Sequence, residues 1–159
     1  MREVVGHRRD AVLLVAGDGP LRAQFAAACR RAGIADRVRD TGQAADLHRV
    51  MALLDVLLIA PHWEGVPRVA VEALAAGVPV VATDVGEIRE VIEPGISGHV
   101  VPAGDVHQLA RAILAVLDDP ALRARLAAAA APVLAEHELE GVVAQHATVY
   151  RRLLDGAAR

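Results

Sequence analysis

Short, unbroken apolar runs alternate along this chain with stretches whose apolar residues recur every three or four positions. Ala11–Ala16 (Ala-Val-Leu-Leu-Val-Ala) has the pattern of a strand covered on both faces. Asp55–Ala60 and Pro79–Thr83 read the same way, Gly98–Pro102 is the last strand, and Arg37–Thr41 is a weaker one before Gly42. Helical patterns lie between and after them: Leu21–Ala32, closed by Gly33; Asp46–Leu54; Pro67 to Gly77; Glu87–Ile92, stopped by Pro94-Gly95; Asp105–Leu117; Pro120 to about Ala131; and Glu138–Leu154. Glycine after a helix and proline in its first turn are the usual boundaries, and Asp105 with Gln108 reads as a start of the capping-box kind. Strand–helix alternation with short turns predicts an α/β fold, a Rossmann-like three-layer sandwich on a mainly parallel sheet, formed by residues 1–159 as one domain.

Composition narrows the picture. The 159 residues are 54% hydrophobic, with a mean hydropathy of +0.34, which is enough for one real core. Much of the excess is alanine, 33 residues, and the aromatics are Phe25, Trp63 and Tyr150. No apolar run approaches the ~20 residues that span a bilayer, and Met1–Asp10 lacks the apolar stretch of a secretory signal. A single cysteine, Cys29, forms no internal disulfide and is expected to be a small buried residue. A cytoplasmic location is therefore expected, with the inner face of a membrane as the alternative. The net charge of −3 and the mixing of acidic with basic residues argue against a nucleic-acid partner. All seventeen basic residues are arginine, so the chain has no lysine.

The chemistry concentrates between Pro61 and Gly77. Glu64, the turn Gly65-Val66-Pro67 and Glu72 lie between two buried-strand patterns, so the turn opens at the end of a parallel sheet, where α/β folds bind ligands. The first N–H groups of a helix beginning at Pro67 have no partners within it, and with the helix dipole they can hold an anion such as a phosphate. Gly65 leaves room for a ligand against the backbone. Val69, Ala70, Val71, Ala73, Leu74, Ala75 and Ala76 are apolar around nearly the whole helix, which predicts a buried helix carrying one carboxylate, Glu72. A buried carboxylate needs several donors, and neighbouring sugar hydroxyls would serve. Spacing leaves a second reading equally open: Arg68 and Glu72 can form a surface ion pair worth ~0.3–0.5 kcal/mol, and Glu64 can be a solvated loop acid.

Other polar residues suggest less. His62 is expected to bond to backbone, and Trp63 to pack at a domain edge. His99 and His107 lack metal-ligand spacing, and His137, Glu138, Glu140 and His146 fall on or near a polar helix face, so no metal is expected. Arg89 receives no role.

Several motifs resemble one family. Leu13 to Leu21, with Gly17-Asp18-Gly19-Pro20, resembles the L-x-G-x-G-P strand–turn of retaining glycosyltransferases of the "group 1" family, which have the GT-B fold. Leu53 to Pro61 is similar to its A-D-V-hydrophobic-P strand. Glu64-Gly65-Val66-Pro67 through Glu72-Ala73-Leu74-Ala75-Ala76-Gly77-Val78-Pro79-Val80-Val81-Ala82-Thr83-Asp84-Val85-Gly86 resembles its E-G-hydrophobic-P…E-A signature almost throughout. Glu90-Val91-Ile92, Gly95, Gly98 and Val101-Pro102 with Gly104-Asp105 continue the likeness, which covers roughly Ala11 to Leu154. The resemblance implies binding of a nucleotide-diphosphate sugar, with no cofactor and no metal. Glu72 would hold the ribose hydroxyls, and Glu64, as the catalytic-site acid, would lie near the donor sugar. The amides of Val66 to Val69, a stretch that includes Pro67 and Arg68, would face the sugar or diphosphate beside Gly65. Gly17 and Gly19 would border the nucleotide cleft, and backbone after Gly42 would contact the base.

The departures carry expectations too. Complete enzymes of this type have two Rossmann-like domains of ~150–200 residues each. The resemblance assigns this chain most of the nucleotide-sugar half, leaving outside it the acceptor-binding domain, the first strand of the donor domain, and the Arg and Lys that neutralise the diphosphate. In the doubly wound order 3-2-1-4-5-6 that first strand is central, and Val4-Val5 lies too near Ala11 in sequence to replace it in parallel. The sheet is then expected to show a gap, direct pairing of residues 11–16 with 55–60, or a strand donated by another chain. Residues 132–159 would pack on the acceptor-binding domain, leaving Leu139, Val142, Val143, Val149, Leu153 and Leu154 short of cover and favouring self-association. The expected function is nucleotide-sugar binding for retaining glycosyl transfer, with little activity in isolation. Alternatives are a non-catalytic nucleotide-sugar-binding module, a subunit completed by a separate acceptor domain, a shortened chain without a separate function, or a sugar-nucleotide 2-epimerase.

Overall fold

A computed structural model describes residues 1–159 apart from Ala45, Val66, Glu138, Ala158 and Arg159. Its strands are β1 (Leu13–Ala16), β2 (Val38–Gly42), β3 (Leu57–Ile59), β4 (Val80–Thr83) and β5 (Gly98–Val101). The helices are α1 (Arg2–His7), α2 (Arg22–Arg31), α3 (Leu47–Met51), α4 (Arg68–Ala75), α5 (Ile88–Val91), α6 (Val106–Asp118), α7 (Pro120–Ala128), α8 (Ala131–His137) and α9 (Leu139–Ala157). Each predicted strand forms, four of them trimmed at one or both ends and β2 shifted by one residue to include Gly42. Two short helices escape the sequence pattern: α1, too brief to show a helical period although its Val4 is fully buried, and α8, continuous with the alanine-rich stretch before it.

Every strand pairing is parallel, but the strands form two sheets, β1-β2 and β3-β4-β5. The gap is thus the outcome observed; no ladder joins β1 to β3 among the described residues. β1 and β2 stay in register until a bulge aligns Ala16 with Gly42. The Thr41 hydroxyl donates to the Val15 carbonyl at 3.2 Å there.

The three layers follow from the pleat of β4, which is buried along its whole length. Alternate residues of a strand face opposite sides. Val80 and Ala82 enter one core with Ala70, Ala73 and Leu74 of α4, Ile88 and Val91 of α5, and Ala130. Val81 enters the other, with Val4 of α1, Ala110, Ile113 and Val116 of α6, and Leu126 of α7. Gly98 of β5 admits this packing, because a Cβ there would lie 2.5 Å from the Val80 carbonyl oxygen and 2.8 Å from Ile92.

Helix ends form where local chemistry dictates. Past α4, Gly77 adopts φ +72. Its N–H donates to the Leu74 carbonyl, and Val78 N–H to that of Ala73, which is the Schellman arrangement. Asp105 caps α6 by accepting from Gln108 N–H at 2.8 Å, while the Gln108 amide donates to the same carboxylate at 2.7 Å. Asp119 accepts from the amides of Ala121 and Leu122 at the start of α7, with Pro120 in its first turn.

Candidate functional site

The loops at the carboxyl ends of the parallel strands carry the residues of interest. The loop after β3 is seated on the loop after β4. Buried Thr83 ends β4, and its hydroxyl donates to the Pro61 carbonyl at 3.5 Å. Glu87 N–H donates to the Gly65 carbonyl at 3.3 Å. Gly86, at φ +56, lies against this loop so closely that a Cβ would overlap the Glu64 carbonyl oxygen and sit 3.0 Å from that of Gly65. Glu64 is half-buried, and its Oε1 accepts from Gly65 N–H at 3.2 Å. A Cβ on Gly65 would meet open space, so its backbone can be approached directly.

Pro67 departs from expectation by one position. It is the N-cap of α4, with φ −78 and ψ 90, so Arg68 is the first helical residue. A proline side chain cannot accept a hydrogen bond, and α4 has no side-chain cap. The amides of Arg68 and Val69 therefore open the helix as donors toward the loop. Val66 lies outside the described residues. Buried Ala70, Ala73 and Leu74 form one face of α4, whereas Ala75 and Ala76 are exposed. The helix is thus covered on one side, not all around as its composition suggested, because β3, β4 and α8 pack against a single face.

Glu72 is half-buried near the middle of α4. Among the described residues neither Glu72 nor Arg68 enters an ion pair, so the i,i+4 pairing left open by the sequence does not form. The Arg68 side chain extends into solvent instead.

The ends of β1 and β2 form a second cluster. Gly17, at φ +139, donates its N–H to the Gly42 carbonyl at 2.7 Å. Gly42, at φ +63, is buried beneath the Arg22 guanidinium, which lies 3.3 Å from where a Cβ would stand. Arg22 Nε donates to Asp40 at 2.7 Å, and Nη1 lies 3.8 Å from Asp18. The Gly42 amide and then Arg22 hold the Asp40 carboxyl below its ordinary range. Gly19 is exposed, its N–H taken by Asp18 Oδ1 at 2.8 Å. Arg22 was not singled out from the sequence. Its i,i+4 spacing from Asp18 was a visible signal, but Asp40 reaches it only through the β1–β2 pairing.

Several minor expectations change. Trp63 is 83% exposed and does not pack at an edge. His62 is exposed and bonds to no backbone group among the described residues. Arg89 gains a role: its Nε and Nη2 hold both Asp84 oxygens at 2.8 Å, fastening α5 to the end of β4. His107 Nδ1 donates to Glu3 at 2.7 Å, linking α6 to α1. His146 Nδ1 donates to the Val142 carbonyl, whereas Glu138 and the His137 side chain lie outside the described residues. No group of three metal-ligating side chains gathers among the described residues. Cys29 is buried as expected. No described helix is long and apolar enough to cross a membrane.

The likeness to known proteins agrees with this architecture. The family described as "Glycosyl transferases group 1" matches residues 1–132. The chain is 32% identical over 154 residues to alpha-D-kanosaminyltransferase of Streptomyces kanamyceticus, covering 95% of this chain and 40% of that protein. It is 40% identical over 136 residues to 2-deoxystreptamine glucosyltransferase of the same organism, covering 84% and 33%. It therefore spans well under half the length of either relative. The crystal structure of Anabaena Alr3699/HepE in complex with UDP-glucose superposes with a TM-score of 0.82 at 24% identity, over 96% of this chain and 45% of that one. That likeness establishes the fold as part of the GT-B type, of which this chain covers one portion.

Proposed function

We propose, for a chain that belongs to the glycosyl transferases group 1 family, that the loops after β1, β3 and β4 bind a nucleotide-diphosphate sugar as donor for retaining glycosyl transfer. The observation that carries this reading is the placement of Glu72. It is a half-buried carboxylate that enters no ion pair among the described residues, one helical stretch beyond a helix start with no side-chain cap. Such a group gains most from a ligand that brings hydroxyl donors, since bonds to a charged acceptor are worth ~1.5–3 kcal/mol. The vicinal hydroxyls of a ribose present two donors side by side. The Arg68 and Val69 amides and the positive end of α4 suit the diphosphate, and Glu64 suits the sugar hydroxyls. Open space at Gly17, Gly19 and Gly65 lets the ligand meet backbone. The relatives' names specify glycosyl transfer, and HepE's a bound UDP-glucose; both support a sugar nucleotide as the ligand.

Transfer also needs an acceptor held against the donor, and that positioning supplies much of the rate. Residues 1–159 span 40% and 33% of the two relatives and contain no lysine to neutralise a diphosphate. These facts favour a donor-binding module whose acceptor-binding counterpart lies outside residues 1–159. Calorimetry of the 159-residue protein with UDP, UDP-glucose and GDP-mannose tests the reading, alongside an assay for sugar release or transfer. Saturable 1:1 binding with negligible turnover is expected. Absence of binding to every sugar nucleotide would remove the proposal, and rapid turnover would replace the module by a self-sufficient enzyme.

A further inference from the structure

Arg22 opens α2, where the helix dipole favours a carboxylate over a cation, and no acidic residue in the first turn of α2 offsets it. Its partners come from outside the helix. Nε donates to Asp40 Oδ2 at 2.7 Å, and the other oxygen of that carboxylate accepts from Gly42 N–H at 2.9 Å. One aspartate thus fixes the guanidinium over the glycine, with Nη1, Nη2 and Cζ 3.3, 3.6 and 3.8 Å from where a Gly42 Cβ would stand. The Gly42 carbonyl accepts from Gly17 N–H at 2.7 Å, so both backbone groups of Gly42 are already engaged. Nη1 and Nη2 are not. Neither donates a hydrogen bond among the described residues, and Asp18 Oδ1 stands 3.8 Å from Nη1. The side chain is about half exposed, so this pair of donor nitrogens faces the open carboxyl end of β1 and β2.

Charge decides what such a fork can hold. One guanidinium beside two carboxylates leaves the cluster net negative, which disfavours a diphosphate and suits a neutral acceptor. On the donor reading above, the loop after β3 and the start of α4 take the sugar and the diphosphate. The part of the ligand left for the loop after β1 is the base. Uracil and guanine present a ring carbonyl oxygen, whereas cytosine and adenine carry an amino group in the corresponding place. A guanidinium has donors alone. It bonds to the carbonyl with the added strength of its charge and leaves an amino group without a partner.

We propose that Arg22, braced by Asp40 over Gly42, determines base specificity by donating from Nη1 and Nη2 to a base carbonyl, so that the site takes keto bases and rejects amino bases. The inference rests on the donor reading, and calorimetry of the 159-residue protein with UDP, CDP, GDP and ADP tests it. In whichever of the UDP–CDP and GDP–ADP pairs binds, the keto member should bind at least tenfold more tightly. Arg22→Ala should bring it down to the level of the amino member, whose own affinity changes by less than about twofold. Arg22→Lys keeps a cation between the two aspartates, so the protein should fold. Its nitrogen reaches only as far as the guanidinium carbon, and the preference should be lost again. Equal binding of keto and amino members by the unmodified protein would overturn the proposal. So would an equal loss of both in the two variants, which would mean that Arg22 acts on the phosphates or on the fold. Binding of none of the four nucleotides would overturn it together with the donor reading, whereas the first two outcomes leave that reading standing.

Discussion

Gly86 lies so close to Glu64 that a Cβ at position 86 would occupy the place of the Glu64 carbonyl oxygen. The loop after β4 therefore sets the height of the loop after β3, and with it the Glu64 carboxylate and the Gly65 backbone. Gly86→Ala would introduce that clash and place an alanine at φ +56. The loop can yield, so a stability loss of about 1–3 kcal/mol is expected from urea unfolding. Affinity for a sugar nucleotide should fall at least tenfold in the folded variant. Undiminished affinity by calorimetry would show that the Glu64 loop lies outside the ligand site.

Glu72 and Glu64 should separate by ligand. If Glu72 holds ribose, Glu72→Gln exchanges charge-assisted bonds for neutral ones, and UDP and UDP-glucose should both bind about 10-fold more weakly. Glu64→Gln should leave UDP nearly unaffected and weaken UDP-glucose by about the same factor. Neither change disturbs an ion pair, since neither carboxylate forms one among the described residues, so both variants should fold. A Glu64→Gln protein that loses UDP and UDP-glucose equally would contradict the assignment.

The sequence was most legible where a feature depends on neighbours within one turn or one strand. The continuous apolar run of β4, the Gly77 stop after α4, the Asp105–Gln108 cap and Pro120 at the head of α7 are local, and each appears as read. Contacts between distant segments were not legible. Arg22 meets Asp40 because β1 and β2 pair in parallel, and Glu64 meets Gly86 because adjacent strands send their loops to the same edge. The fate of the sheet stayed open among three outcomes, because strand patterns report burial and not which edges meet. Apolar composition overstated the cover of α4, since alanine suits exposed helical positions as well as buried ones. It also misplaced Trp63, whose exposure depends on how the loop turns.

Acid should destabilise the fold in two separate windows. Burial lowers the His99 pKa from its ordinary 6.5, and its Nε2 is buried with no hydrogen-bond partner among the described residues. Above pH 6.5 the ring is neutral in both states. As pH falls below 6.5 the unfolded chain binds a proton that the folded one resists, so stability falls with pH. Asp40, Asp84 and Asp105 are depressed by hydrogen bonds from Gly42, Arg89 and Gln108 respectively. Their contribution is present above 3.8 and disappears as pH drops through the lower folded values; their exposure keeps it small. His99→Leu should flatten the Tm profile between pH 7.5 and 5.5 while leaving the acid limb below pH 4 in place. An unchanged slope between pH 7.5 and 5.5 would exclude His99 as its source.

The outer face of α9 should make the isolated chain associate. Leu139, Val143, Val149, Leu153 and Leu154 are between 53% and 74% exposed on a helix that packs chiefly on α8. Apolar side chains grouped on one helix in this way seek cover. Sedimentation velocity should show concentration-dependent self-association of the 159-residue protein. Leu153→Glu with Leu154→Glu places charge at the C-terminal end of that surface. Both residues are mostly exposed, so stability should change by no more than about 0.5 kcal/mol, while the self-associated species disappears. Association that persists unchanged in the double variant would move the contact elsewhere on the molecule.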